Sequence, residues 1–182
     1  MVHLKDYIKD NKVWPLLTSL DVSQNMLLDS GVVELANGLM ERFKASQKQR
    51  DSQFVKLPLL DLNIKQTEMS DLGFKQLLQR FESMHQTIQK SNLQIEQQMT
   101  FDISNNQLTD SSLVVFADLL SKFAGFFRVE MRSMMRMRSQ TISEIAGALS
   151  VSNIGFLDLR GNYIEEENLN ELLSSLEENW VL

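Results

Sequence analysis

The side chains that could carry acid–base, nucleophilic or metal chemistry are few and far apart. His3 and His85 are the two histidines, and there is no cysteine. Thiolate nucleophiles, thiolate metal sites and disulfides are thereby excluded, and a catalytic triad or a histidine metal centre cannot be assembled from two histidines so separated. Glu165-Glu166-Glu167 could attract a cation. At a predicted helix start, such a run reads as a solvated face favoured by the helix dipole. The seven glycines are dispersed and form no phosphate-cradling loop; Gly31 and Gly73 fall at equivalent helix-start positions, a packing role. The expectation is a chain that is not an enzyme and carries no cofactor or metal.

Charge narrows the partner. The 182 residues are 43% hydrophobic and 23% charged, with a net charge of −6, as expected of one compact domain whose bulk charge repels nucleic acid. Arg128 to Arg138 holds four arginines against Glu130, while Asp158 to Glu178 holds seven acids against Arg160. Absence of cysteine and of a signal-like N-terminus, with no apolar run near the ~18 residues of a membrane span, predicts a soluble, cytoplasmic protein with no membrane contact. Cytoskeletal or nuclear placement is compatible with this.

The elements that would position these residues come from self-comparison. Leu17-x-x-Leu20-x-Val22-x-x-Asn25-x-Leu27 returns as Leu59, Leu62, Ile64, Thr67, Met69, then as Phe101, Ile103, Asn106, Leu108, and finally as Ile154, Leu157, Leu159, Asn162, Ile164. A worn copy, Phe126-x-x-Val129-x-Met131-x-x-Met134, precedes the last. Each copy leads into an i, i+3, i+4, i+7 stripe: Val32 to Leu39, Phe74 to Phe81, Leu113 to Leu120, Ile142 to Leu149 and Leu169 to Leu176. All five stripes are expected to be buried. Ser30, Ser70, Ser111 and Thr141 are the cap candidates.

This pattern resembles the ribonuclease-inhibitor-like class of leucine-rich repeat proteins over nearly the whole chain. The resemblance implies an α/β horseshoe solenoid of about five strand–helix repeats, with a parallel concave sheet and convex helices. The chain is read as one domain, 1–182, with a helical cap at 1–14, Trp14 and Pro15 at the turn, and repeats near 15–56, 57–98, 99–125, 126–153 and 154–182. Asn25, Asn106 and Asn162 would satisfy backbone groups left open by the bend. The frame advances 42 residues from Asn25 to Thr67 and 39 to Asn106, then 28 twice. Extra polar material therefore lies near Lys44 to Lys56, read as a mobile loop from Lys44 to Gln53, and near Glu82 to Gln98. In the second stretch Met84, His85 and Ile88 prolong the apolar stripe for two further helical turns.

Strand residues between the apolar ones would line the concave face. They form three rows: Ser19, Asp61, Thr100, Arg128 and Phe156; Asp21, Asn63, Asp102, Glu130 and Asp158; and Ser23, Lys65, Ser104, Arg132 and Arg160. Of these, Asp21, Ser23, Asn63, Lys65, Asp102, Ser104, Arg128, Glu130, Arg132, Phe156, Asp158 and Arg160 are the candidate partner-binding residues, because arginine beside an exposed aromatic is an interface composition. Mutual neutralisation of the charges is the competing reading. Arg136 and Arg138 in the worn copy, with Met134, Met135 and Met137, are a second candidate contact, and adaptable core filler is the alternative for the methionines. Trp180, at an uncapped C-terminal edge, is a third: the edge either folds back or docks on another subunit.

The function expected is a non-catalytic protein–protein interaction module, a scaffold or adaptor subunit of a larger intracellular hetero-complex. The alternatives are a regulator of a small GTPase or other enzyme, and a structural protein associated with actin, microtubules or an axoneme.

Overall fold

A computed structural model describes residues 17–48, 53–134 and 137–179. The cap expected at 1–14, Trp14, Pro15, Met135, Arg136 and Trp180 lie outside the described residues. Strands and helices alternate: β1 (Ser19–Asp21), α1 (Leu28–Gln47), β2 (Phe54–Val55), β3 (Asp61–Asn63), α2 (Asp71–Lys90), β4 (Gln94–Ile95), β5 (Met99–Asp102), α3 (Asp110–Lys122), β6 (Phe126–Glu130), α4 (Ser139–Leu149), β7 (Phe156–Asp158) and α5 (Glu166–Asn179). Five strands form one parallel sheet in the order β1-β3-β5-β6-β7, and β2 and β4 form a second parallel pair.

Parallel pairing needs a crossover between strands, and α1 to α4 supply the four that link the five-stranded sheet. The helices pack on one another in sequence, α1 on α2, α2 on α3, α3 on α4 and α4 on α5. Between sheet and helices lies the core. Its centre is aromatic: Phe101 stacks on Phe126 at 5.5 Å between centroids, Phe81 meets Phe126 edge-on at 5.3 Å, and Phe116 meets Phe74 edge-on at 5.4 Å. Offset and edge-to-face rings of this kind add to the burial of their large apolar area.

Each strand of the five-stranded sheet ends in the same turn. Gln24, Gln66, Asn105, Ser133 and Gly161 take left-handed backbone angles, φ +57°, +52°, +56°, +53° and +73°. The residue after each is the asparagine position of the frame. The Asn106 amide donates to the carbonyls of Ile64 and Ile103, and its oxygen accepts from the Thr67 and Met69 N–H groups. Asn162 likewise donates to the carbonyls of Met131 and Leu159 and accepts from the Met134 N–H. One buried amide thus satisfies backbone groups of two neighbouring units, which is what a turn stripped of water requires.

A second ladder joins the helix starts. Asp29 accepts from the N–H and hydroxyl of Ser70, Asp71 accepts from the N–H and hydroxyl of Thr109, and Asp110 accepts from the Arg138 N–H and the Thr141 hydroxyl. These acids stand four residues after Asn25, Thr67 and Asn106. The cap expectations are corrected accordingly. Ser70 caps α2 as expected, but Thr109 rather than Ser111 caps α3, and the starts of α1 and α4, at Leu27 and Arg138, have no side-chain cap. Thr141 is buried on Asp110 instead.

The regular horseshoe is corrected. The first two helices have 20 residues each and the others 13, 11 and 14, and only the long units carry the additional strands β2 and β4. Units this unequal do not superpose as a regular solenoid; the architecture is an α/β domain built on a mostly parallel sheet. Residues 44–47, expected to begin a loop, complete α1, and β2 then pairs with β4. The second insertion does prolong α2, with Met84, His85 and Ile88 buried.

The last stripe also departs from expectation. Leu172 is buried, whereas Leu169, Leu173 and Leu176 are 48%, 50% and 39% exposed. Among the described residues α5 ends the helix stack, so half of its apolar surface has no neighbour to cover it.

Candidate functional site

The strand register builds the sheet face row by row. Ser19, Asp61, Thr100, Arg128 and Phe156 stand opposite one another across five strands, and so do Asp21, Asn63, Asp102, Glu130 and Asp158. Backbone bonds past the strands, from Gln24 to Lys65, Gln66 to Ser104, Asn105 to Arg132 and Ser133 to Arg160, continue the ladder through the third row, so the twelve candidates share one face of the sheet with Ser19, Asp61 and Thr100, Ser104 being fully buried in it. Their availability differs sharply.

The second row is acidic for a local reason. Asp21, Asn63, Asp102 and Asp158 each accept a hydrogen bond at Oδ1 from the N–H two residues on, that of Ser23, Lys65, Ser104 and Arg160. This is the Asx turn, which needs Asp or Asn at that position. Glu130, one methylene longer, has no such bond, and two arginines hold it instead: Arg128 Nε at 2.7 Å and Arg132 Nη2 at 2.6 Å. Arg132 also reaches Asp102 at 3.1 Å and lies 3.7 Å from Asp158. Asp102, Glu130 and Asp158 are buried. Arg132 thus serves all three buried carboxylates, with Arg128 adding to Glu130 and Arg160 to Asp158, so none is buried without a cationic partner. Mutual neutralisation therefore accounts for Arg132, and Ser104, fully buried with its hydroxyl accepting from the Arg132 N–H, belongs to the scaffold.

Arg160 bends back onto Asp158, with Nη2 to Oδ2 at 2.6 Å, and its side chain remains 75% exposed. The Arg160 hydrogen bonds hold the Asp158 carboxyl at about 2, well below the ordinary carboxylate range, and Asp158 in turn raises Arg160. At the other edge, the Ser23 hydroxyl and N–H hold the Asp21 carboxyl below its ordinary value, with the Asn63 amide at 3.0 Å adding to the effect. Ser19 donates to Asp61 at 3.0 Å.

What the face offers outward lies on β6 and β7. The Arg128 guanidinium sits 3.7 Å above the centre of the Phe156 ring, which is 38% exposed. Next to it is Phe127, a residue absent from the sequence-based candidates. Met99 pairs with Phe126 and Thr100 with Arg128, so Phe127 is an extra residue bulged out of the ladder, and it is 51% exposed. Its ring lies over Gly155, where a Cβ would come within 2.2 Å of it. No local pattern marks it: in a period-2 strand one of the consecutive phenylalanines 126 and 127 faces outward in any case, and the bulge comes from the register with β5.

The other candidates separate from this face. Arg138 is exposed, its guanidinium 4.0 Å from Asp110. Met134 and Met137 are buried, so they are core filler in the worn unit. Arg136 and Trp180 lie outside the described residues. Among the described residues no group of three His, Asp or Glu side chains is arranged to hold a metal, and no helix is long and apolar enough to cross a membrane.

No protein-family model and no curated protein sequence matches the chain. Solved structures do match it. Actin-binding site 2 of leiomodin-1 superposes with a TM-score of 0.69 at 11% identity, covering 97% of this chain and 87% of that one. The tropomodulin C-terminal domain of Caenorhabditis elegans superposes with a TM-score of 0.65 at 11% identity, covering 97% and 91%. These likenesses correct the resemblance drawn from the sequence: the fold is similar to the tropomodulin and leiomodin domain, not to a ribonuclease-inhibitor-like leucine-rich repeat solenoid.

Proposed function

We propose that this chain is a non-catalytic protein-binding domain whose partner is actin, acting with the cytoskeleton on the cytoplasmic side of the cell. The observation that carries the reading is the likeness, over 97% of the chain, to a domain described as an actin-binding site. The sheet face supports it with a surface suited to protein contact: Phe127 and Phe156 expose apolar rings beside Arg128, and Arg160 projects alongside.

Cosedimentation with actin filaments, paired with a fluorescence assay on monomeric actin, tests this. Saturable micromolar binding to either form is the expected outcome. Absence of binding to both would overturn the assignment and return the chain to the broader class of scaffold or adaptor subunits.

A further inference from the structure

In the interior units the apolar stripe of a helix is covered by the helix that follows. Ile142, Ala146 and Leu149 of α4 are buried, with α5 packed on α4, and so are Leu113, Ala117 and Leu120 of α3, with α4 packed on α3. Leu169, Leu173 and Leu176 hold the equivalent positions of α5, and all three are exposed. Beneath them, Leu157 and Leu159 of β7 are half-buried where Val129 and Met131 of the preceding unit are fully buried. The end of the stack therefore keeps the side chains of an interior unit. Leu173 is larger than Ala36, Ala117 and Ala146, which hold its place in three earlier units.

Charge around this stripe has one sign. From Glu165 to Glu177 there are five glutamates and no lysine or arginine. At 3.6 residues per turn, Glu165 prolongs the line of leucines by one turn, while Glu166 and Glu177 flank it, three residues before Leu169 and four after Leu173. Other surface acids of the domain have a cation: Glu41 has Lys44, Glu82 and Asp118 share Lys122, and Glu96 has Lys56. Among the described residues Glu165, Glu166, Glu167 and Glu177 have none, and Glu171 accepts from the Ser143 hydroxyl. The helix dipole accounts for Glu166 and Glu167 in the first turn of α5, but it disfavours Glu177 near the other end.

These charges select the occupant. A second copy of the chain would set glutamate against glutamate, and an anionic membrane surface would be repelled. We infer that α5 is the docking face for a basic amphipathic helix of another protein, which takes the place of the next helix in the stack. Its apolar side chains cover Leu169, Leu173 and Leu176, and its lysines or arginines reach Glu166 and Glu177. The site lies at the end of the stack rather than on the sheet face and does not depend on actin binding.

The probe is a fluorescein-labelled synthetic peptide of about eighteen residues, with leucine along one helical face and lysine over the rest, titrated with the full chain. Saturable binding that weakens as salt is raised is expected, with hydrogen exchange of the α5 amides slowed in the complex. A peptide of the same composition with its leucines scattered around the helix should bind at least about tenfold more weakly. Leu169→Gln with Leu173→Gln should weaken the first peptide at least about tenfold, and Glu166→Gln with Glu177→Gln about fivefold. Glu41→Gln with Glu68→Gln, the same change of charge on the first two units, should leave it unaltered. All six positions are exposed, so each variant should keep the melting temperature of the parent chain. No binding, equal binding of the scattered peptide, indifference to the leucine pair, or an equal loss with Glu41→Gln and Glu68→Gln would each overturn the proposal. So would a dimer in sedimentation velocity that the leucine substitutions disperse, which would give the face to a second copy.

Discussion

Asp71, in the first turn of α2, holds both the backbone N–H and the hydroxyl of Thr109, the residue that caps α3. Ser112 donates to the same carboxylate. Burial pushes the Asp71 carboxyl up, but the hydrogen bonds from Ser112 and Thr109 outweigh it and hold it below its ordinary value. Replacing Asp71 by alanine orphans these donors in a partly buried place, at about 1–3 kcal/mol for an unsatisfied group. Urea unfolding of Asp71→Ala should show a loss of roughly 2–3 kcal/mol. Asp71→Asn, which keeps one acceptor oxygen, should lose less.

Gly73 lies on the neighbouring rung. A Cβ there would meet Asp29 Oδ1 at 2.5 Å and its Cα at 2.9 Å, and backbone cannot move aside as a flexible side chain can. Gly73→Ala should therefore destabilise by about 1–3 kcal/mol, although alanine is the better helix former. Thermal unfolding measures the sign directly. A rise in melting temperature would contradict the close approach of α2 to Asp29.

Asp158 gives the domain an acid limit. Its folded value of about 2 lies below the ordinary carboxylate value of about 3.9, so its contribution is fully present above about pH 4 and is lost as pH falls through about 2. Stability measured down this range should decline. In Arg160→Ala the Asp158 carboxyl should titrate at higher pH, read by carboxyl NMR shifts, because Arg160 supplies the largest part of the depression.

Gln66 adopts φ +52°, where a residue with a Cβ is strained by roughly 1–2 kcal/mol. Gly161 occupies the equivalent turn of the last unit without that strain. Gln66→Gly should raise stability by about 0.5–1 kcal/mol, after allowance for the entropy of the unfolded glycine. Denaturant midpoints at constant slope would establish it.

Phe156→Ala and Arg128→Ala should each weaken actin binding about tenfold, as expected of an aromatic–arginine contact at the centre of an interface. Melting temperature should change little for Phe156→Ala, since the ring is 38% exposed. Unaltered cosedimentation of both variants would move the actin contact away from β6 and β7.

The sequence made the strand positions, the helix stripes and the rows of the sheet face legible, because apolar spacing reports which way each side chain turns. Asp21, Asn63, Asp102 and Asp158 were visible as a column, but its cause was not: the Asx turn needs the backbone to be placed before the bond can be seen. The acids four residues after Asn25, Thr67 and Asn106 were equally visible, but their role was not, because Asp29, Asp71 and Asp110 bind the next unit rather than their own. Regularity misled the assignment of the fold. The frame advance marked the first two units as longer, but the shared apolar positions said nothing about β2 pairing with β4 across 40 residues of sequence. The bulge at Phe127, on which the exposed aromatic cluster depends, arises from register with β5, a relation between strands that no local pattern encodes.

The ladder of acids stops at Asp110. Arg138 stands where the frame next calls for an acid, and the first turn of α4 has none, so α5 is tied sideways to α4 through Ser143 and Glu171 at 2.7 Å rather than through a shared cap. The clamping is therefore uneven along the domain, and amide hydrogen exchange should be faster in α5 than in the helices tied by Asp29, Asp71 and Asp110.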